Sequence, residues 1–170
     1  GALRLLTMTF SADLTGLATD VLTAARAEGA MIATAESCTG GLIVGLLTEI
    51  AGSSDVVDRG FVTYSNQAKQ EMLGVQPDLL AAYGAVSREV AAAMAEGALK
   101  YSRAQLAVAV TGIAGPGGAS VEKPVGLVYI GAMRAGGSPI IERHLFGAIG
   151  REQVRLATVD AALRMLRGLI

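Results

Sequence analysis

The sequence has no tryptophan, one cysteine, one histidine and four prolines in 170 residues. Each scarcity removes a class of protein. With Cys38 alone, no disulfide forms within the chain, so a disulfide scaffold is excluded and a reducing compartment is compatible. With His144 as the single histidine, lying in a plain apolar context, the common histidine-based hydrolytic arrangements lose their base. Aromatic residues make up only 4%. Neither charge is in surplus: 14 Lys plus Arg face 15 Asp plus Glu, a formal charge of −1, with a pI near 5.8. A nucleic-acid backbone needs a basic excess, so nucleic acid is not an expected partner. The longest apolar runs, such as residues 42–47, are too short to span a bilayer, and no membrane association is expected. The start of the chain lacks the long apolar core of a signal peptide, so the expected location is the cytoplasm. An N-terminal leader over residues 1–12, processed or disordered, precedes the domain in this reading.

What is present is small and aliphatic. Hydrophobic residues reach 52%, mostly Ala, Val, Leu and Ile, and 22 glycines punctuate them. That composition suits helices packed closely on a sheet, in one domain large enough for a real core. Helical spacing of Leu14, Leu17, Val21, Leu22 and Ala25 predicts a helix over 13–28 ended by Gly29. A short strand over 30–35, a polar turn through Gly41 and a helix over 42–50 follow. Extended segments are predicted at 56–57 and 60–63. A helix capped by Asn66 runs to Leu73, a short one covers 77–83, and Ser87 caps a third from Arg88 to about 102. Strands are predicted over 106–110, 126–133 and 140–146, the last two as an antiparallel hairpin. A long helix covers 151–170. Helices and strands alternate and a hairpin ends the sheet, so the expected fold class is α/β, a single-domain three-layer α/β/α sandwich on a mixed sheet.

Several residues in this frame could carry chemistry. A serine needs a group to take its proton, and a desolvated lysine can serve. Ser54, in the turn Gly52-Ser53-Ser54, and the downstream Lys69 form such a pair, with Tyr64 between them. An isolated lysine is more often a solvated helix residue. Ser37 reads as a ligand-facing hydroxyl or, favoured on spacing alone, a helix cap. Glu36 reads as a buried hydrogen-bond anchor or a residue that opens the turn. Cys38 reads as a packed, unreactive thiol. Thr111 and Gly112 begin a glycine-rich loop at a strand end, where α/β sheets take ligands, although neither named nucleotide signature is present. Arg151 and Arg155 stand one helical turn apart and either clamp a phosphate or solvate the helix.

Taken together the segments resemble one family. Thr34-Ala35-Glu36-Ser37-Cys38-Thr39-Gly40-Gly41, Ala51-Gly52-Ser53-Ser54, Gly60-Phe61-Val62-Thr63-Tyr64-Ser65-Asn66, Gly84-Ala85-Val86-Ser87, Thr111-Gly112-Ile113-Ala114-Gly115-Pro116 and Lys123-Pro124-Val125-Gly126 are similar to the CinA C-terminal domain, in the same order. The resemblance implies a domain over 13–170 that hydrolyses nicotinamide mononucleotide to nicotinic acid mononucleotide and ammonia, in pyridine nucleotide salvage. It implies a metal-free, cofactor-free serine amidase with Ser54 as nucleophile, Lys69 as base and Tyr64 assisting. Ser37, Thr111, Arg151, Glu36 and Gly112 match positions expected to bind substrate or complete the site, with Ser37 the alternative nucleophile. Where the family usually carries an acidic residue before that arginine, this chain has Gly150. The expected partners are a small-molecule nucleotide substrate and further copies of the chain in a homo-oligomer. The competing reading is a non-catalytic nucleotide-binding or regulatory module linked to competence or DNA damage.

Overall fold

The computed structural model describes residues 9–170; most of the leader expected over 1–12 lies outside the described residues. Ser11 caps the first helix, its Oγ accepting the Leu14 N–H, so α1 spans Ala12–Ala27. It is followed by β1 (Ile32–Glu36), α2 (Leu42–Glu49), a 3₁₀ turn (Ser53–Asp55) and β2 (Val57–Val62). Next come α3 (Asn66–Leu73), α4 (Pro77–Tyr83), α5 (Arg88–Lys100), β3 (Leu106–Gly112), β4 (Leu127–Arg134), β5 (Ile140–Leu145) and α6 (Arg151–Gly168). The two extended segments expected at 56–57 and 60–63 are one strand. The cap of α3 is Ser65 rather than Asn66, because the Ser65 Oγ accepts the Ala68 N–H. No helix among the described residues is long and apolar enough to cross a membrane.

The sheet order is β2-β1-β3-β4-β5. β1 lies parallel to both β2 and β3, and the β4–β5 hairpin closes the sheet antiparallel. The mixed α/β/α sandwich expected from the alternation is therefore the observed fold. Helices α1, α2 and α6 cover one face, over Ile32, Leu106, Val108 and Val110. Helices α3, α4 and α5 cover the other, over Ala33, Ala35, Ala107 and Ala109. Alternate residues of a strand point to opposite faces, so β1 and β3 present branched residues to one layer and alanines to the other. The alanine face lets α5 ride close, through its own Ala91, Ala95 and Ala98.

One glycine shows how close. A Cβ on Gly97 of α5 would lie 2.2 Å from the Leu73 carbonyl oxygen at the end of α3. The obstacle is backbone, so α3 itself would have to move. Gly97→Ala should lower stability by about 1–3 kcal/mol despite the better helix propensity of alanine. Urea unfolding is the measurement, and an unchanged midpoint would mean that α3 shifts freely.

Candidate active site

β1 and β3 run parallel and end together, opening a cleft at their carboxyl ends. The register pairs Glu36 with Val62 of β2 and with Val110 of β3. Ser37, Thr63 and Thr111, each one residue further on, are thereby placed side by side. The Ser37 N–H donates to the Val110 carbonyl, and the Thr63 N–H to that of Glu36.

Lys69 enters this corner from α3. Its side chain is buried, 1% exposed, and the Nζ donates to Ser37 Oγ at 2.9 Å, to the Thr63 carbonyl at 2.8 Å and to that of Tyr64 at 3.3 Å. None of the ion pairs among the described residues includes it. Burial favours the neutral amine and pulls its pKa from the ordinary 10.5 down to about 8, opposed in part by Cys38. The solvated reading of Lys69 is thus corrected.

Ser54 is elsewhere. It is exposed in the 3₁₀ turn before β2, and the neighbouring Val56 carbonyl accepts the N–H of Ile32 at the start of β1. Lys69 instead grips the residues just after β2. The two are separated by the length of the strand, about 20 Å at roughly 3.3 Å per residue. The structure does not bring Ser54 to Lys69; the serine it brings there is Ser37. Nor does Ser37 cap α2, whose cap position is Gly41, a residue without a side chain. The carboxylate of Glu36 does that work from the strand end. It accepts the N–H groups of Ile43 and Val44 at 2.9 and 3.1 Å and the Thr39 hydroxyl at 2.6 Å. Glu36 is fully buried and is a structural anchor of the turn.

The cleft, about 200 Å³, is lined by Ser37, Cys38, Tyr64, Asn66, Lys69 and Thr111, and further by Ala85, Val86, Gly112, Ala114 and Arg151. Lys69 and Arg151 are its basic lining residues, and no carboxylate lines it. Arg151 spans its mouth, donating to the Gly115 carbonyl at 2.9 Å and the Tyr64 hydroxyl at 3.0 Å. A guanidinium has five N–H donors, so Arg151 keeps others for a ligand. Thr111 donates to the Ala85 carbonyl at 2.8 Å and tethers the α4–α5 loop as a wall. Gly112 lines the cleft too, but its missing Cβ answers to β4: an added one would lie 2.6 Å from Val128 Cγ2. Arg155 leaves its sequence neighbour and binds the carbonyls of Cys38 and Thr39 at 3.0 and 3.2 Å. Cys38 is buried, and desolvation pushes its thiol up to about 11, as expected for an unreactive cysteine. His144 sits on β5 beside Glu142, two strands across the sheet from Gly112, and does not line the cleft. Asn66, read as a cap, lines the cleft instead; nothing in its spacing distinguishes the two roles.

The family model of the CinA C-terminal domain matches residues 14–170. The chain belongs to the CinA C-terminal domain family. It is 49% identical over 154 residues to the nicotinamide-nucleotide amidohydrolase PncC of Escherichia coli K12, covering 91% of this chain and 93% of that protein. It is 52% identical over 141 residues to a CinA-like protein of Syntrophobacter fumaroxidans, where the match covers 83% of this chain but only 33% of the longer relative. Among solved structures, the competence/damage inducible protein CihA of Agrobacterium tumefaciens superposes with a TM-score of 0.94 at 56% identity, over 96% of this chain and 99% of that one.

The depressed lysine has a thermodynamic signature. Between its folded value of about 8 and its unfolded value near 10.5, the unfolded chain holds more protons at this site, so its contribution to stability rises with pH. Below about pH 8 the cost of the buried charge is fully present. Cys38, raised from 9.0 to about 11, works the other way above pH 9. Lys69→Met should therefore flatten the rise in stability between pH 8 and 9, measured as the difference from wild type in urea unfolding. Parallel curves would mean that Lys69 titrates at an ordinary value.

Proposed function

We propose that this domain is an amidohydrolase acting on the carboxamide of a nicotinamide nucleotide, nicotinamide mononucleotide in the first instance, with Ser37 as nucleophile and Lys69 as general base. The observation that carries the reading is the buried, unpaired Lys69 at 2.9 Å from Ser37 Oγ. The 49% identity to PncC supports the substrate class. A neutral lysine amine has two N–H groups and one lone pair. The carbonyls of Thr63 and Tyr64 engage the N–H groups, which leaves the lone pair for the Ser37 proton.

Ser37 Oγ attacks the carboxamide carbon while Lys69 Nζ takes its proton. Backbone N–H groups of the turn after Ser37 hold the developing oxyanion. As the C–N bond breaks, the Lys69 ammonium returns the proton to nitrogen and ammonia leaves. Water, activated by the same amine, then attacks the acyl ester, releases the carboxylic acid and restores Ser37. Tyr64 and Arg151 stand at the mouth, where Arg151 and its spare donors meet the nucleotide phosphate. A cleft of about 200 Å³ is smaller than the roughly 300–1,000 Å³ that encloses a whole drug-sized ligand, so the reacting ring enters and the phosphate stays at the rim. The absence of lining carboxylates suits an anionic substrate. Binding energy at that phosphate contributes to catalysis at the distant carbonyl only where it aligns the ring.

Ammonia release from nicotinamide mononucleotide by the purified protein tests the reading directly. Lys69→Met should lower kcat by about 10²–10⁴-fold. Ser37→Ala should abolish formation of the acyl adduct, whereas Ser54→Ala should keep near-normal turnover; the reverse pattern would return the nucleophile to Ser54. In wild type, kcat/KM should rise with pH to a plateau above about pH 8, as the amine becomes neutral. Binding of the nucleotide without ammonia would favour a regulatory module instead.

A further inference from the structure

β5 is the edge of the sheet on the hairpin side, and no strand among the described residues pairs with its outer rim. Just past its end, the Phe146 N–H donates to the Gly126 carbonyl. Hydrogen-bonded pairs recur at every second residue of an antiparallel ladder, so Ile140, Glu142 and His144 turn their backbone groups to β4. The N–H and C=O groups of Ile141, Arg143 and Leu145 therefore point off the sheet. Among the described residues only the Ile141 carbonyl of these meets a donor, the Arg88 guanidinium at 3.3 Å. The opposite edge is guarded. The register of β2 against β1 is irregular, and Asp58 and Arg59 tie β2 to the Arg103 N–H and the Tyr101 carbonyl. β5 has a regular register, holds no proline, and leaves Ile140 and Leu145 55% and 58% exposed. We infer that β5 is an interaction edge that pairs antiparallel with β5 of a second copy of this chain, about a two-fold axis at Arg143. This inference stands apart from the amidohydrolase reading.

The strand's own chemistry selects the register. In a two-fold antiparallel pair the same edge meets itself, so outward residues must face outward residues. An axis at Arg143 sets Ile141 opposite the partner's Leu145, and Arg143 opposite the partner's Arg143. Every outward N–H and C=O of both strands then finds a partner. Moving the axis to Glu142 sets Leu145 opposite the partner's Pro139, which has no N–H. Moving it to His144 sets Ile141 opposite the partner's Gly147, which lies beyond the strand at a φ of +82°. The side chains favour the same register. On the α5 side, each Ile141 packs on the partner's Leu145. On the α6 side, Ile140 meets the partner's Phe146, and Glu142 meets the partner's His144, a carboxylate opposite a ring N–H. The two Arg143 side chains on the axis make the one repulsive contact. The partner's β5 also runs along the open side of the apolar groove between β5 and α6, about 700 Å³ and lined by Ile140, His144, Phe146, Ala161 and Met165.

Sedimentation velocity and cysteine cross-linking of the full chain test the assignment. At micromolar concentrations the wild-type protein should sediment as a dimer, or as a larger assembly with an even number of chains. Leu145→Lys, an exposed substitution that spares the β4 ladder, should raise the Kd of the pair at least about tenfold, with an unchanged far-UV circular dichroism spectrum. Arg143→Cys removes the repulsive contact and places two cysteines on the axis. Their Cα atoms would stand about 5.5 Å apart, within the roughly 4.4–6.8 Å that a disulfide spans. On oxidation this variant should form a covalent dimer, whereas wild type, with only the buried Cys38, should not. Glu142→Cys and His144→Cys would stand diagonally, about 7–8 Å from their counterparts, and should remain single chains on a denaturing gel. Should Leu145→Lys fail to fold, the cross-linking alone decides. Cross-linking through either diagonal position in place of Arg143→Cys overturns the register. A wild-type monomer, an odd-numbered assembly, or an assembly that Leu145→Lys leaves intact overturns the interface.

Discussion

Everything at this site depends on holding an amine in a place where its charged form is disfavoured. A lysine with no carboxylate beside it is costly to bury in its protonated state, and the fold gives Lys69 only dipoles in return. Those dipoles come from the end of β2 and from Ser37 at the end of β1. Their geometry is therefore a property of the β1–β2 register and of where α3 begins. A carboxylate in the same place would stabilise the ammonium; the cleft lining carries none.

The two halves of the sheet have different tasks. The parallel strands β1, β2 and β3 end at the cleft and furnish Ser37, Thr63 and Thr111 in one row. The hairpin β4–β5 contributes bulk beside them, with Val128 packed where Gly112 leaves room. Between the layers, Glu36 links strand to helix. A buried carboxylate satisfies the first amides of α2 and so anchors the turn from which Ser37 emerges. Tyr64, Arg151 and Gly115 join three separate segments across the mouth, and Thr111 fixes the opposite wall through Ala85. Most polar groups around the cleft are thus engaged with one another, which is the condition for preorganised chemistry.

Much of this was legible in the sequence. Helical periodicity and the glycines that stop helices placed α1 to α6 within a residue or two, and the alternation of elements placed the layers. The residues of the cleft were legible as well: Ser37, Lys69, Tyr64, Thr111 and Arg151 all line it. Their pairing was not. Ser54 lies 15 positions before Lys69 and Ser37 lies 32 before it, yet a strand of six residues separates the nearer one in space. Parallel pairing brings together residues far apart in sequence, and its register has no local sign. For the same reason Ser37 read as a helix cap, since the residue that caps α2 is an acid on the preceding strand. Arg155 could be seen only as the neighbour of Arg151, because backbone carbonyls leave no trace in a sequence.

Helix α6 follows all five strands in the chain, and it alone carries Arg151 and Arg155. A nascent chain that has emerged through β5 owns Ser37 and Lys69 but not the guanidinium groups that bridge the mouth and grip the turn. During synthesis Ser37 and Lys69 are therefore in place before the two guanidinium groups that bridge the mouth and hold the turn.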